Sequence, residues 1–388
     1  MYFLYTFAFL IYTIRKLKLN MSIINLPSQT DLSGFYVVYR GSTNLEKKGI
    51  YGISHLMEHL VAKCMDPYQN ELDRLGIDFN AYTSGNEVVF HITGLDRSLS
   101  KWRNKFVDLL SQFNVTKEEF ENERNIVLQE YMDSFNDQTH NHWLNLDRKL
   151  YNNFNPIGLK EDLENLTWMD CLRYFDNQYS DPSLIINVSK NIEFGADIDF
   201  KTVDQNKKFI KGNYPVDLQR DTDYKGKVSL IMSSDIIDSD FDKVKFINTM
   251  LSSGLQSPFY HEIREKRGLV YYVGNSLRQL NNHGTNYIYT MSSAENINKI
   301  VDIVGNILDN PSKFLTKDRF NTVRESLLIA KEKQDINRFS SIDRWVMPDG
   351  WSQLEVLDTI THDEVIEVAE RYFNMSNYHI SRDDKEFK

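Results

Sequence analysis

Cysteine is nearly absent from this chain, with Cys64 and Cys171 as the only two among 388 residues. Disulfide bonds therefore do not hold the fold together, and such scarcity is typical of proteins from a reducing compartment, so we expect a cytoplasmic location. Long basic runs are also missing, and the formal net charge is −10. Because such a chain offers no track for phosphates, we expect no nucleic-acid partner.

The chain also lacks an apolar run that is long enough to cross a membrane. Residues 2–14 are apolar and charge-free, and Arg15, Lys16 and Lys18 follow them. A bilayer-spanning helix needs about 20 apolar residues, and a secretory signal carries its positive charge before the apolar run. We interpret residues 1–20 as an extension outside the fold. The alternative is a short membrane-surface anchor, which would give weak association and no firm membrane partner.

The length and composition favour two globular domains. A chain of 388 residues is too long for one ordinary core, and 41% hydrophobic with 26% charged residues is typical of a globular protein. Residues 194–225 are polar and without clear periodicity, so we predict an interdomain linker region there. The N-terminal domain is then predicted at 21–193 and the C-terminal domain at 226–388. Both halves share a rhythm of strands and helices that predicts two similar α+β units.

Local patterns predict the elements within each half. Ser54 is a candidate N-cap for a helix that follows it, and capping boxes at Thr116 and Thr167 predict two further helix starts. The predicted strands cover residues 34–39, 78–83, 87–93, 182–188, 228–232, 269–275 and 285–291. The predicted helices, besides the one after Ser54, cover residues 71–75, 97–113, 116–135, 167–178, 239–251 and 257–266 and continue to about 373.

The helix predicted after Ser54 carries two histidines and a carboxylate. His55 and His59 are four residues apart and share one helical face, which Glu58 borders. Two neutral imidazoles at this spacing can bind one zinc ion, and a neighbouring carboxylate can accept a proton from water. The pattern is the inverted zinc-peptidase (inverzincin) motif H-x-x-E-H. The alternatives are a chance occurrence and histidines that only pack in the core.

A catalytic zinc site with two histidines needs a third ligand. The helix predicted from Thr116 carries Glu123 and Glu130, two turns apart on one face. Ile126, Val127 and Leu128 between them indicate that part of this helix packs inward. A carboxylate from this helix would complete the ligand set, and the alternative is a solvated acidic face.

These two stretches together resemble the pitrilysin and mitochondrial-processing-peptidase family of zinc peptidases. The resemblance rests on His55-Leu-Met-Glu58-His59 and on the run Glu123-Arg-Asn-Ile-Val-Leu-Gln-Glu130. It implies that His55, His59 and Glu130 bind one zinc ion per chain. It also implies that Glu58 is the catalytic base and that Glu123 orients the site from outside the ligand set.

Two further stretches extend the resemblance. Residues 75–84 look like the family strand that lines the cleft, which implies that Asn80 and Ala81 contact the substrate. Residues 263–271 are similar to the family's arginine and tyrosine pair, which implies catalytic roles for Arg264 and Tyr271. The alternatives are a surface ion pair for Arg264 and a half-buried strand position for Tyr271.

The resemblance covers roughly residues 30–375 and implies an α+β fold of two similar domains, each a mostly antiparallel sheet packed with helices. It implies a zinc endopeptidase that cleaves peptides or unfolded polypeptide segments inside a chamber. Single-chain members of the family are about twice this length, which implies a homodimer or a heterodimer with a related subunit. The alternative is a non-catalytic structural or regulatory subunit. The family's Phe-x-Gly-Thr after the metal helix is absent, so the resemblance leaves the shape of the cleft open.

Overall fold

The computed structural model describes residues 22–151, 155–179, 182–191, 194, 226–237, 240–280, 283–336 and 356–384. The predictions made for residues 1–20, and for 195–225 within the linker region, lie outside these residues.

The described residues contain nine strands and thirteen α-helices, numbered here in chain order. The strands are β1 Ser22–Pro27, β2 Leu32–Arg40, β3 Asp78–Thr83, β4 Glu87–Leu95, β5 Leu184–Ser189, β6 Lys227–Ile237, β7 Val273–Leu280, β8 His283–Ser293 and β9 His379–Arg382. The helices are α1 Ile53–Ala62, α2 Gln69–Leu75, α3 Asp96–Leu99, α4 Trp102–Leu110, α5 Lys117–Asn136, α6 Gln138–Tyr151, α7 Lys160–Asn165, α8 Trp168–Gln178, α9 Phe241–Ser252, α10 Ala294–Leu308, α11 Pro311–Phe314, α12 Lys317–Ile336 and α13 His362–Tyr372.

These elements divide into two compact units. The first unit holds the described residues up to 131 and those between 155 and 194, and the second unit holds the remainder. Helix α6 groups with the second unit because His142 hydrogen-bonds to the hydroxyls of Ser229 and Ser381, each at 2.7 Å. The division predicted from the sequence places this helix in the N-terminal domain, so the two divisions differ here. The predicted domain boundaries otherwise stay a prediction.

The sheet of the first unit has the order β1-β5-β2-β4-β3. Strand β1 pairs with β5 in parallel, and the other neighbours pair antiparallel. The middle strand β2 is buried from Ser33 to Tyr39, which explains its apolar, aromatic run. Strand β3 lies at an edge of the sheet, and β4 is its partner there.

The sheet of the second unit has the order β7-β8-β6-β9, and all of its neighbours pair antiparallel. Helices α9, α10 and α13 contribute buried apolar side chains to one core with this sheet. Each unit is therefore an antiparallel-rich sheet packed with helices, which confirms the predicted α+β class.

Several predicted elements differ in detail from the structure. The predicted helix 97–113 is two helices, α3 and α4. Residues 260–265 form one π-helical segment inside the predicted helix 257–266. Strand β7 begins at Val273 and not near residue 269. Strands β1 and β9 were not predicted, and both pair with strands distant in the sequence, β1 with β5 and β9 with β6.

In the described part of the chain, no helix combines the length and the apolar content that crossing a membrane requires.

Candidate metal centre

Helix α1 brings two histidine rings together at the surface of the first unit. Leu56, Met57 and Leu60 are fully buried and anchor the helix against the sheet. Their burial leaves His55 and His59 on a neighbouring, partly exposed face, with ring centroids 4.9 Å apart. The 3.6-residue period that places apolar side chains inward thus also pairs the two imidazoles.

Glu130 of helix α5 reaches both rings. Its Oε2 atom lies 3.4 Å from Nε2 of His55 and 3.8 Å from Nε2 of His59. One ligand atom from each of the three residues lies within 4.8 Å of the others. The structure therefore brings together the three residues that the family resemblance implies as metal ligands.

The donor set fits a zinc ion. Ligands bonded to a tetrahedral zinc at about 2.0–2.2 Å lie about 3.3–3.6 Å apart, close to the two separations from Glu130. Burial, followed by the neighbouring His59, lowers the pKa of His55 to about 4, so its ring is a neutral ligand at physiological pH. The Glu130 side chain is 44% exposed, which leaves one side of the site open to water and substrate.

Glu123 lies two turns before Glu130 on the same face of α5. It contacts the Nδ1 side of the His59 ring, away from Glu130. Its Oε2 atom lies 3.2 Å from Nδ1 of His59, and its Oε1 atom lies 3.6 Å from Nζ of Lys63. A carboxylate at this nitrogen favours the tautomer with the proton on Nδ1, so Nε2 keeps its lone pair for a metal. The buried Nδ1 of His55 has no such partner among the described residues.

Glu58 lies beside this group on the same helix. Thr83 of β3 donates a hydrogen bond of 2.6 Å to its Oε2 atom. Burial raises the pKa of Glu58, while the Thr83 hydrogen bond and His59 act against this and Glu130 adds to it. A carboxylate at this place, beside a group that can hold a metal, can accept a proton from water and return it.

The predicted substrate residues lie on the edge strand. Asn80 is exposed on β3, and its Oδ1 accepts the backbone N–H of Ala81 at 2.8 Å. Among the described residues, β4 is the only strand that pairs with β3. The outer edge of β3 can therefore accept an extended peptide as a further strand.

Arg264 and Tyr271 belong to the second unit, where the structure places them against each other. The Arg264 guanidinium lies 5.0 Å from the ring of Tyr271 and 4.7 Å from the ring of Tyr260. Tyr271 precedes β7 and is 84% exposed, so the half-buried strand position given as its alternative is wrong. No carboxylate of a described residue lies within ion-pair distance of Arg264, so the alternative of a surface ion pair finds no support there.

The start of helix α1 depends on a carboxylate that the sequence analysis missed. Gly52 is the N-cap, with φ at +95°, and Ser54 lies inside the helix, so the predicted Ser54 cap was wrong. Glu46 accepts the backbone N–H groups of Gly52 and Ser54, both at 2.9 Å, and so satisfies donors of the first turn. Glu46 lies six residues before the N-cap, so it is not part of a capping box, the pattern by which a helix start is usually predicted from sequence.

Backbone packing fixes the same turn. A Cβ atom on Gly158 would lie 2.4 Å from Cα of Gly52, so a side chain does not fit there. Asp162 of α7 accepts the N–H groups of Gly49 and Tyr51 at 3.1 Å and 3.0 Å. The entry to the metal helix is thus held by two carboxylates and one glycine contact.

We expect Glu46 to make stability depend on pH. Burial, with a smaller effect of Asp162, raises its pKa to about 7, above the unfolded value near 4.5. A raised folded pKa stabilises the fold below the unfolded pKa, and this contribution is lost as pH rises through about 7. Relative to Glu46→Gln, the wild-type free energy of unfolding should fall by about 1–3 kcal/mol between pH 5 and pH 8.

The measurement is urea unfolding of both metal-free chains at several pH values. Titration of the histidines is common to both chains, so the difference isolates Glu46. The exposed Glu118→Gln variant is the matched control and should show no such change with pH. A pH-independent difference between wild type and Glu46→Gln would contradict the expectation.

Comparison with protein families gives two matches that follow each other along the chain. A family model described as "Insulinase (Peptidase family M16)" matches residues 26–157. A second, described as "Peptidase M16 inactive domain", matches residues 165–327. The first match contains all the residues of the candidate metal centre, and the second contains Arg264 and Tyr271.

Similar proteins cover nearly the whole chain. An uncharacterized zinc protease of Rickettsia felis is 22% identical and covers 94% of this chain and 95% of its own. A crystal structure of a protease from Helicobacter pylori has a TM-score of 0.77 at 17% identity and covers 94% of this chain and 97% of that one. The periplasmic protease PqqL from Escherichia coli has a TM-score of 0.66 at 12% identity, over 93% of this chain and 46% of its own.

Proposed function

Since this chain belongs to peptidase family M16, we propose that it is a zinc-dependent endopeptidase that cleaves peptides or unfolded polypeptide segments. The observation that carries the proposal is the convergence of three ligand atoms, from His55, His59 and Glu130, within 4.8 Å. Glu58 lies on the same helix as the two histidines and supplies the proton acceptor that hydrolysis needs. The proposal is tested by measuring the rate of peptide hydrolysis as a function of the amount of zinc bound to the chain.

In the proposed reaction, His55, His59 and Glu130 hold the metal and Glu58 moves the proton. A bound zinc ion supplies positive charge that acidifies a water molecule and polarises the peptide carbonyl. Glu58 accepts a proton from the attacking water and returns it to the leaving amine. Glu123 keeps the His59 ring in its orientation throughout.

The proposed substrate mode is strand addition at the edge of β3. An extended peptide would pair with the outer edge of β3 near Asn80 and Ala81, where the Ala81 N–H would exchange its bond to Asn80 Oδ1 for one to the peptide. Main-chain hydrogen bonds would then supply most of the affinity. Such binding places few demands on side chains. It favours peptides and unfolded segments over folded proteins, because a folded protein rarely offers a free extended segment.

We further propose that the enzyme works as a dimer, either of two copies or with a related subunit. The match covers 46% of the PqqL chain, so two chains of this protein together have about the length of that chain. The exposed Tyr271, with Arg264 against its ring, offers two donors for the developing oxyanion. In a dimer, these donors would act at the zinc site of the partner chain.

Mixing two inactive variants tests this arrangement. Glu58→Gln removes the base, and Arg264→Ala removes one of the two oxyanion donors and the cation that packs against the other. If donors act across the dimer, each mixed dimer has one complete site, so random mixing of equal amounts should recover about a quarter of wild-type activity. The mixture should be compared with each variant alone at the same total concentration. A mixture no more active than its components would contradict action across a dimer of two copies of this chain.

A non-catalytic subunit of the same fold is the second candidate. It is favoured by the match of residues 165–327 to a domain described as inactive. A chain of this kind would bind zinc weakly or would show no Glu58-dependent hydrolysis by itself. Zinc content and hydrolysis measured on the same sample separate the two candidates.

The proposed location is the cytoplasm. Cys64 and Cys171 are both free thiols, half-buried and buried respectively, as suits a reducing compartment. Weak membrane association through residues 2–14 stays a prediction.

A further inference from the structure

We propose that Thr83 is a positioning residue that holds Glu58 in its reactive orientation and thereby joins the substrate strand to the catalytic base. The inference rests on the proposed peptidase function and concerns how that site is kept in place. Its basis is the 2.6 Å hydrogen bond from the Thr83 hydroxyl to Oε2 of Glu58, which connects strand β3 to helix α1.

A glutamate that acts as a base needs a hydrogen-bond donor to hold its carboxylate in one position. The terminal torsion of glutamate is broad and has no sharply preferred angle, so the carboxylate rotates unless something holds it. Thr83 holds Oε2 of Glu58, and because the carboxylate is rigid this also limits where Oε1 can lie. The hydroxyl therefore fixes the position of the group that accepts the proton.

The register of the sheet explains why Thr83 can reach Glu58. Thr83 pairs with Val88, and Ala81 pairs with Phe90, so both side chains lie on the face of the sheet that carries these buried residues. Alternation along a strand places Asn80 on the opposite face. The strand that would receive the substrate at its edge thus also presents the Thr83 hydroxyl to the base.

The Thr83 hydrogen bond has two opposite effects on Glu58: it fixes the position of the carboxylate, and it lowers its basicity. We expect the effect on position to be the larger one. Without the hydrogen bond, Glu58 becomes a stronger base, which favours proton transfer. It also loses its fixed position, and a displacement of about 1 Å at a reacting group can cost about 100-fold in rate. A hydrogen bond to a charged group contributes enough to account for about a 10- to 100-fold change. The net expectation is a loss of rate.

The experiment compares Thr83→Val and Thr83→Ser with wild type, all loaded with zinc, on an unstructured peptide. Valine keeps the branched shape and removes the donor, and serine keeps the donor. We expect kcat to fall about 10- to 100-fold in Thr83→Val, with KM within about twofold of wild type and the same zinc content. Thr83→Ser should retain most of the wild-type kcat.

Thr93→Val on the neighbouring strand is the matched control, because Thr93 pairs with Asp78 at the far end of β3. It should keep wild-type kinetics. Thr83→Ala serves as a second donor-free variant if circular dichroism shows that Thr83→Val is not folded.

Two results would overturn the proposal. The first is a wild-type kcat in the donor-free variants. The second is a raised KM with unchanged kcat, which would make Thr83 a substrate contact. If the wild-type chain does not cleave the peptide when loaded with zinc, the proposed function itself fails, and this outcome is distinct from both.

Discussion

Replacing Glu58 by glutamine is expected to lower kcat for an unstructured peptide by about 10²- to 10⁴-fold, the range that general acid–base catalysis contributes. Glutamine has nearly the same shape but does not accept a proton at neutral pH. Glu58 is not one of the three ligand residues, so the variant should still bind zinc as the wild type does. The loss should therefore appear in kcat at equal zinc content.

Progress curves and zinc content measured on the same samples provide this test. Glu118→Gln makes the same chemical change at an exposed position of helix α5 and is the matched control. It should leave both readouts unchanged. If Glu58→Gln kept a wild-type kcat, another group would have to accept the proton, and the assignment of Glu58 as the base would be wrong.

The second large effect is expected at Glu130. Glu130→Gln replaces a charged ligand oxygen by an amide, which binds zinc poorly. We expect zinc affinity to fall by more than the roughly 100-fold upper range for losing a contact outside the ligand set, and hydrolysis to fall with it. Glu123→Gln should weaken zinc binding by a smaller factor of about 10 to 100, because Glu123 contacts the Nδ1 atom of His59 from outside the ligand set.

Competition with a chelator of known affinity measures both losses on one scale. The order of the two variants is the informative result, and Glu118→Gln on the same helix again provides the control. A high zinc concentration should restore hydrolysis in Glu123→Gln, since its ligand set is complete. A larger loss of zinc affinity in Glu123→Gln than in Glu130→Gln would exchange the two roles.

The sequence predicted those parts of the site that depend on local periodicity. The spacing of His55, Glu58 and His59 on one helix required only the 3.6-residue period, and the structure has this helix. The capping boxes at Thr116 and Thr167 predicted the starts of α5 and α8, and both are present. These signals are short-range, so one chain segment contains all the information.

Local sequence patterns could not predict that helix α5 packs next to helix α1. Glu123 and Glu130 lie on one face of their helix, but this alone does not say which element that face meets. The resemblance to a known family supplied the partner, and the structure places Glu130 Oε2 within 3.8 Å of both Nε2 atoms. For the same reason, the contact of Glu46 with the start of α1 was missed.

Thr83 is an intermediate case. Alternation along β3 could have placed Thr83 on the same face as Ala81, because both residues lie within one predicted strand. It could not have shown that this face meets Glu58, since β3 and α1 are separate segments whose packing brings them together. A positioning residue such as Thr83 is harder to find from sequence than a metal ligand. Threonine occurs in many structural roles, whereas two histidines and a glutamate on one helix indicate a metal site.

Zinc-dependent hydrolysis is the central claim, and removing and returning the metal tests it most directly. The wild-type chain is stripped with a chelator, dialysed and titrated with zinc while hydrolysis of an unstructured peptide is recorded. We predict no hydrolysis by the metal-free chain and an activity that rises with zinc and saturates at one ion per chain. Hydrolysis by the metal-free chain, or saturation with zinc without any hydrolysis, would contradict the claim.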